Sequence, residues 1–163
     1  MPQLGQTWAL ADEGAGMTSL VFRAGSLLCA IGLAEVVETM RPLETHPLAG
    51  TPAFVLGISV LHGVPTPVID VARLLGGGPA ELERYVAVRT ERGTVALATG
   101  QVLGIREVDA ASPGGHPALL AGPNSRLVAG VATLGAEPLL LLQSMRAVPD
   151  DVWEAAAAAG MPS

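Results

Sequence analysis

The chain has 163 residues, with nine Lys+Arg against fifteen Asp+Glu and a formal charge of 9 − 15 = −6. That length fits one domain or two small subdomains sharing a core, and a hydrophobic fraction of 50% with a mean hydropathy of +0.47 excludes a disordered chain. All nine cations are scattered arginines, so the clustered positive surface that a nucleic-acid backbone requires is missing.

Residues 1–17 read as a tail without periodicity, rich in Gly, Ala and Gln. From Thr18 the pattern changes. Ser19–Arg23 and Leu27–Ile31 read as a hairpin around Ala24-Gly25-Ser26. Gly32–Glu38 follows, and Arg41-Pro42 forbids a helix and predicts an extended path to Pro47. Thr51 as N-cap, Pro52 at the first helical position and Gly57 as a stop predict one short helical turn. Ile58–His62 and Val64–Ile69 read as strands around Gly63, with Pro67 ending the second. Asp70 caps a short helix, Val71–Leu75, which stops at Gly76-Gly77-Gly78-Pro79. Arg84–Thr90 alternates as a half-buried strand should, and Glu91-Arg92-Gly93 turns the chain into Thr94–Thr99. Val102–Val108 is a further strand, 110–123 a loop rich in Gly and Pro, and Leu127–Leu134 with Pro138–Gln143 a last hairpin. Asp150-Asp151 suit the N-terminal dipole of a helix reaching Ala159. The strands fall in two clusters, near 18–70 and 84–143, and short strands at regular spacing point to barrels or sandwiches.

Chemistry is sparse. Cys29 is the single cysteine, which excludes an internal disulfide and a CxxC metal site. It lies mid-strand among Leu28, Ala30 and Ile31, the setting of a buried thiol, and a Cys29 hydrolase lacks an adjacent base. His46, His62 and His116 are dispersed, without the i, i+4 spacing of a helical zinc site. Glu35/Glu38 and Glu81/Glu83 read as solvated faces, and Gly76-Gly77-Gly78 as a linker and not a phosphate cradle. The expectation is therefore no catalytic residue, no metal and no cofactor. No basic stretch precedes an apolar run of the signal-peptide kind, and Leu139–Leu142 is far too short to cross a bilayer, so a cytoplasmic protein without membrane insertion is expected. What remains is apolar surface. Leu33, Val36 and Val37, with Val102 and Leu103, either line a groove that receives an amphipathic helix or seal an interface between subdomains. A small-ligand-binding β-barrel is the other class these features admit.

One block narrows the reading. Gly50–Asp70 carries Pro52, Phe54, Gly57, Leu61, Gly63, Pro67 and Asp70 without a gap, and in this it resembles the central signature of CheW-like chemotaxis coupling proteins. Leu20–Gly25, Ile31 and Val36-Val37-Glu38 resemble that family's opening hairpin. Val95–Val102, Gly130-Val131 and Leu139–Leu142 are similar to its later strands. The resemblance covers about 18–148, flanked by the tail (1–17) and a C-terminal helix and tail (149–163). It implies a mainly β fold of two small five-stranded, SH3-like β-barrels sharing a core, with short helices. It also implies a non-catalytic adaptor that joins the cytoplasmic tip of a chemoreceptor to the regulatory domain of a chemotaxis histidine kinase. The receptor groove then maps onto Ile31, Leu33, Val36, Val37 and Val102, and the kinase-binding end onto Leu56, Gly57, Leu61, His62 and Gly63. Three departures stand out. His62 replaces an arginine, Gly100 an aspartate and Gln143 another aspartate, which implies an altered partner set or a chemosensory-type system other than flagellar chemotaxis.

Overall fold

Two-residue turns at Gly25-Ser26, His62-Gly63 and Gly135-Ala136 and a four-residue one at Thr90–Gly93 set hairpins whose ladders form two sheets. The computed structural model describes residues 16–78, 80–109, 112–113, 128–143 and 148–159. The expected tail up to residue 15, His116 and most of the 110–123 loop lie outside the described residues.

Strands β1 (Met17–Ala24) and β2 (Leu27–Gly32) pair about the Gly25-Ser26 turn, Ala24 opposite Leu27. A single turn of 3-10 helix, Leu33–Glu35, leads into β3 (Val36–Met40). β4 (Val55–Leu61) and β5 (Val64–Asp70) follow, then the short helix α1 (Val71–Leu74). β6 (Arg84–Arg89), β7 (Thr94–Thr99) and β8 (Val102–Val108) come next, then the two-residue β9 (Ser112–Pro113). β10 (Val128–Leu134), β11 (Glu137–Leu142) and helix α2 (Asp150–Ala159) complete the order.

One sheet runs β8-β1-β2-β11-β10-β9 and the other β3-β6-β7-β5-β4. The two strand clusters of the sequence are thus not the two sheets. β1 and β2 join the C-terminal strands through a parallel β2–β11 ladder, and β6 and β7 join β3–β5 through a parallel β5–β7 ladder. The first sheet bends until β8 and β10 touch. The second closes through the segment after β3, whose His46 exchanges both backbone hydrogen bonds with Ile58 of β4, at 2.8 and 2.9 Å. Hydroxyls staple that closure. Thr45 Oγ1 lies 2.7 Å from Ser59 Oγ and 2.6 Å from Tyr85 Oη, and Ser59 donates to the Glu44 carbonyl at 2.8 Å. Each of these buried hydroxyls therefore has a partner, as burial requires. The fold is mainly β, two curled five-stranded sheets, with β9 a short addition to the first.

A shared core lies between the sheets. It takes Leu20, Phe22, Cys29 and Ile31 from one sheet and Ile58, Ile69, Val86, Val88, Val95 and Leu97 from the other. Val152 and Ala156 of α2 plug into it, and Trp153 of the same helix stacks under the Arg92 guanidinium, 5.8 Å from the ring centre. Arg92 also pairs with Asp150 at 2.5 Å, which fixes the first turn of α2 on the β6–β7 hairpin. At the far side, Arg23 holds Glu137 in a two-pronged pair across β1 and the β10–β11 turn. Hydrogen bonding to Arg23 holds the Glu137 carboxyl below its usual range.

Three local expectations are corrected. The turn over Ala53–Phe54 is a single β-turn, Val55 N–H to the Pro52 carbonyl at 2.9 Å, and Thr51 donates to the Leu48 carbonyl instead of capping. The ladder to β5 outweighs the local helix signal here. The Asp70 N–H already bonds the Phe54 carbonyl, and β4 runs straight through Gly57, which is a bulge and not a stop. Arg84–Arg89 is buried on both faces from Tyr85 to Val88, because the shared core covers one side and Val68, Tyr85, Ala96 and Ala98 pack on the other. Pro67 lies within β5 and does not end it. The β5–β7 ladder begins only at Val68, so neither Pro65 nor Pro67 is asked for an N–H on that side. The Asp70 cap on α1 stands as expected, its side chain accepting from the Arg73 N–H.

Candidate functional site

In an antiparallel pair, directly opposed residues point to the same face. Across the first sheet this gives the row Leu142–Ile31–Leu20–Ile105 and, two residues along β1, the row Leu140–Cys29–Phe22–Val102. Inside the molecule these rows are core. At the edge strand β8 they leave it. Val102 is half-buried against the shared core and Ile105 is 56% exposed. Simple alternation along β8 would put Val102 and Ile105 on opposite faces. The register shift between Val21 and Phe22 inserts one extra residue at Leu103, and Gly104 takes a φ of 115° there, so both side chains share one face. Ile105 is the residue that sequence reasoning missed, and the glycine within an apolar strand was its signal.

The second sheet also has apolar residues on an edge strand, β3. Val36 packs partly buried against the same core, opposite Val88 of β6. A register shift between Val36 and Glu38 leaves Val37 unpaired and 44% exposed. Leu33 is half-buried in the connecting 3-10 turn. Ile31 is 1% exposed and lies in the core, whereas Leu33, Val36, Val37 and Val102 reach the surface.

The β4–β5 hairpin carries the other candidate residues. His62 and Gly63, at φ 48° and 82°, form its two-residue turn, with both residues in the left-handed region that suits the twist of a hairpin. Both are exposed, and so are Val60 at 56% and Val64 at 59%, a pair of apolar side chains beside the tip that the sequence reading left out. Leu61 and Gly57 are buried, and Leu56 packs half-buried against the cluster around Tyr85. The tip is tied down: His62 Nε2 lies 2.5 Å from Glu38 Oε2 on β3.

Cys29, the candidate nucleophile, lies in the shared core. Cys29 is fully buried between Phe22 and Leu140, and desolvation pushes its thiol up to about 12, with nearby Arg23 acting weakly in the opposite sense. At pH 8 that leaves on the order of one thiolate in ten thousand. Native protein at pH 8 is therefore expected to resist a maleimide that labels the denatured chain within minutes, and fast native labelling would contradict the buried placement. Gly76 and Gly77 spend their N–H groups on the Arg73 and Ala72 carbonyls, closing α1 instead of cradling an anion. Among the described residues, no cluster of three or more His, Cys, Asp or Glu side chains is placed to hold a metal. No helix among them is long and apolar enough to cross a membrane.

Two curled sheets share a common core, and exposed apolar side chains lie on two bulged edge strands and beside the tip of the β4–β5 hairpin. Residues 18–151 match the family described as the CheW-like domain, and the chain belongs to that family. It is 31% identical over 94 residues to Protein FrzA of Myxococcus xanthus, a stretch covering 55% of this chain and 58% of FrzA, less than two thirds of that relative's length. Its fold is similar to the crystal structure of the scaffolding protein TtCheW from Thermoanaerobacter tengcongensis, with a TM-score of 0.67 and 20% identity. That likeness covers 78% of this chain and 89% of TtCheW.

Proposed function

We propose that this protein is a non-catalytic cytoplasmic scaffold in chemotaxis-type signalling, joining the helical cytoplasmic tip of a chemoreceptor to the regulatory domain of a histidine kinase. The observation that carries this reading is the continuity of the shared core with its surface. The same apolar rows that pack Leu20 and Phe22 emerge as Val102 and Ile105 on one edge strand, and Leu33, Val36 and Val37 reach the surface at the edge strand of the other sheet. An apolar strip bounded by two edge strands suits a helix that presents anchors at i, i+3, i+4 and i+7. The second surface, Val60 and Val64 flanking His62-Gly63, is the candidate kinase-facing end. Membership of the CheW-like family supports the assignment, as does the likeness of fold to the scaffolding protein TtCheW.

Sedimentation velocity of the chain mixed at micromolar concentration with the cognate kinase regulatory domain, and separately with a soluble receptor signalling tip, tests it. A faster-sedimenting complex with each partner is the expected result. A complex with one alone would assign a scaffold that has kept a single partner, and absence of both would overturn the proposal.

A further inference from the structure

The chain changes sheets at its C-terminal end. β11 leaves the first sheet at Leu142, and at Val148 the backbone is back in the shared core. Helix α2 then lies on β5 and on the β6–β7 hairpin, both of the second sheet. It is therefore a strap from one sheet to the other. The chain makes the same crossing between β2 and β3 through the 3-10 turn, and between β7 and β8 at Gly100-Gln101. The latter is stitched to Arg23 of β1 by two backbone hydrogen bonds, each of 2.8 Å.

The strap is held by much less. Of the ten residues of α2, Val152 and Ala156 are buried, four apart on one face. Asp151, Glu154, Ala157, Ala158 and Ala159 are exposed. Arg92 supplies the polar hold, bonding Asp150 in the first turn and covering the Trp153 ring. The hairpin tip is shaped for this. Thr90 Oγ1 accepts from the Arg92 and Gly93 N–H groups, both at 3.2 Å, which fixes the backbone that carries Arg92. A Cβ at Gly93 would come within 3.3 Å of the Trp153 ring, so the ring lies close against bare main chain.

We infer that α2 is a strap that opens and recloses by itself while both sheets stay folded, and that Arg92 is the pin that keeps it shut. A segment opens separately when it buries few apolar contacts and its hydrogen bonds are its own. The Val152 and Trp153 N–H groups bond the Pro149 carbonyl, and among the described residues no backbone hydrogen bond joins α2 to a strand. Releasing the helix therefore breaks no ladder. It withdraws Val152 and Ala156 from the core between the sheets, and with them one tie of the first sheet to the second. The strands beneath cannot follow so easily. β6 is paired on both sides, with β3 and β7, and β7 with β6 and β5. Both partners of the Arg92–Asp150 pair are solvent-accessible, so its share is a few-fold in the opening equilibrium and salt screens it. The stacking of Arg92 on Trp153 adds a similar factor.

Hydrogen–deuterium exchange of the whole chain, read residue by residue by NMR, tests the strap. In the natural protein the amides of Glu154 to Ala159 should exchange about 100-fold or more faster than those of Val86 to Val88 and Val95 to Leu97. Arg92→Ala should speed the α2 amides about five- to twentyfold, and Asp150→Asn about two- to fivefold, with the strand amides unchanged in both. Raising NaCl from about 0.05 to about 1 M should close the gap between the natural protein and Asp150→Asn. Ala156→Asp puts a carboxylate where the helix enters the core, and it should unseat α2 while the strands keep their protection. Exchange of helix and strand amides at one common rate in the natural protein would overturn the inference, because helix and sheets would then open as one unit. So would an Arg92→Ala effect of equal size on both sets of amides, or loss of strand protection in Ala156→Asp.

Discussion

Gly57→Ala is expected to be the most damaging small substitution in the second sheet, lowering the thermal midpoint by roughly 10–20 °C. Two independent causes add. Gly57 has a φ of 139°, where side-chain-bearing residues are strained by about 1–3 kcal/mol. A Cβ there would also lie 2.0 Å from the His46 carbonyl oxygen and 2.6 Å from its carbon. Those are main-chain atoms held by the paired His46–Ile58 hydrogen bonds, so no rotamer change relieves the overlap and the seam itself must open. Overpacking of a fixed site adds about 1–3 kcal/mol or more. Because the obstacle is backbone, trimming the neighbour with His46→Ala should rescue nothing. Gly63→Ala is the control. It shares a positive φ of 82° but meets nothing within 4 Å, so only backbone strain of about 1–2 kcal/mol remains. Circular-dichroism melts of the three variants decide the matter, and a Gly57→Ala midpoint within about 3 °C of the natural protein would refute the closed seam.

That glycine shows what was legible in the sequence and what was not. Its presence in the Gly50–Asp70 block was conspicuous, and its effect on local structure was misread as a helix stop, because the atom that demands it belongs to His46, eleven positions upstream. Turns encoded by adjacent residues, such as Gly25-Ser26, Gly135 and its neighbour, and the Asp70 cap, were readable, since each depends on φ preferences or a short hydrogen bond within a few residues. The strand runs were readable for the same reason. Partnerships were not. Nothing local in Leu140 to Leu142 says that they lie parallel to Cys29 to Ile31, and so the two strand clusters are no guide to the sheets. The site divided along the same line. Leu33, Val36, Val37 and Val102 reach the surface, while Ile31 is buried by the shared core and Gly57 by the His46 backbone across the seam. Ile105 was hidden by a one-residue bulge, which reverses the face of every residue beyond it.

The double substitution Val37→Asp/Ile105→Asp should leave the fold intact and weaken binding of a receptor signalling tip by about 100-fold or more. Both side chains are largely solvent-exposed in the free protein, at 44% and 56%, and exposed substitutions usually change stability by no more than about 0.5 kcal/mol each. Bound under a helix, each would lose burial of the half of its side chain now exposed, about 0.7–1.5 kcal/mol, and stripping water from each new carboxylate would add about 1–3 kcal/mol or more. Two such losses exceed the 2.7 kcal/mol that separates affinities 100-fold apart. The matching pair Val60→Asp/Val64→Asp at the hairpin tip should do the reverse, sparing the receptor tip and cutting the affinity for the kinase regulatory domain. Isothermal titration of both variants against both partners gives four numbers, and the diagonal pattern is the content of the claim. If each pair of substitutions weakened both partners equally, the two surfaces would be one, and a scaffold that holds two proteins at once could not be built from them.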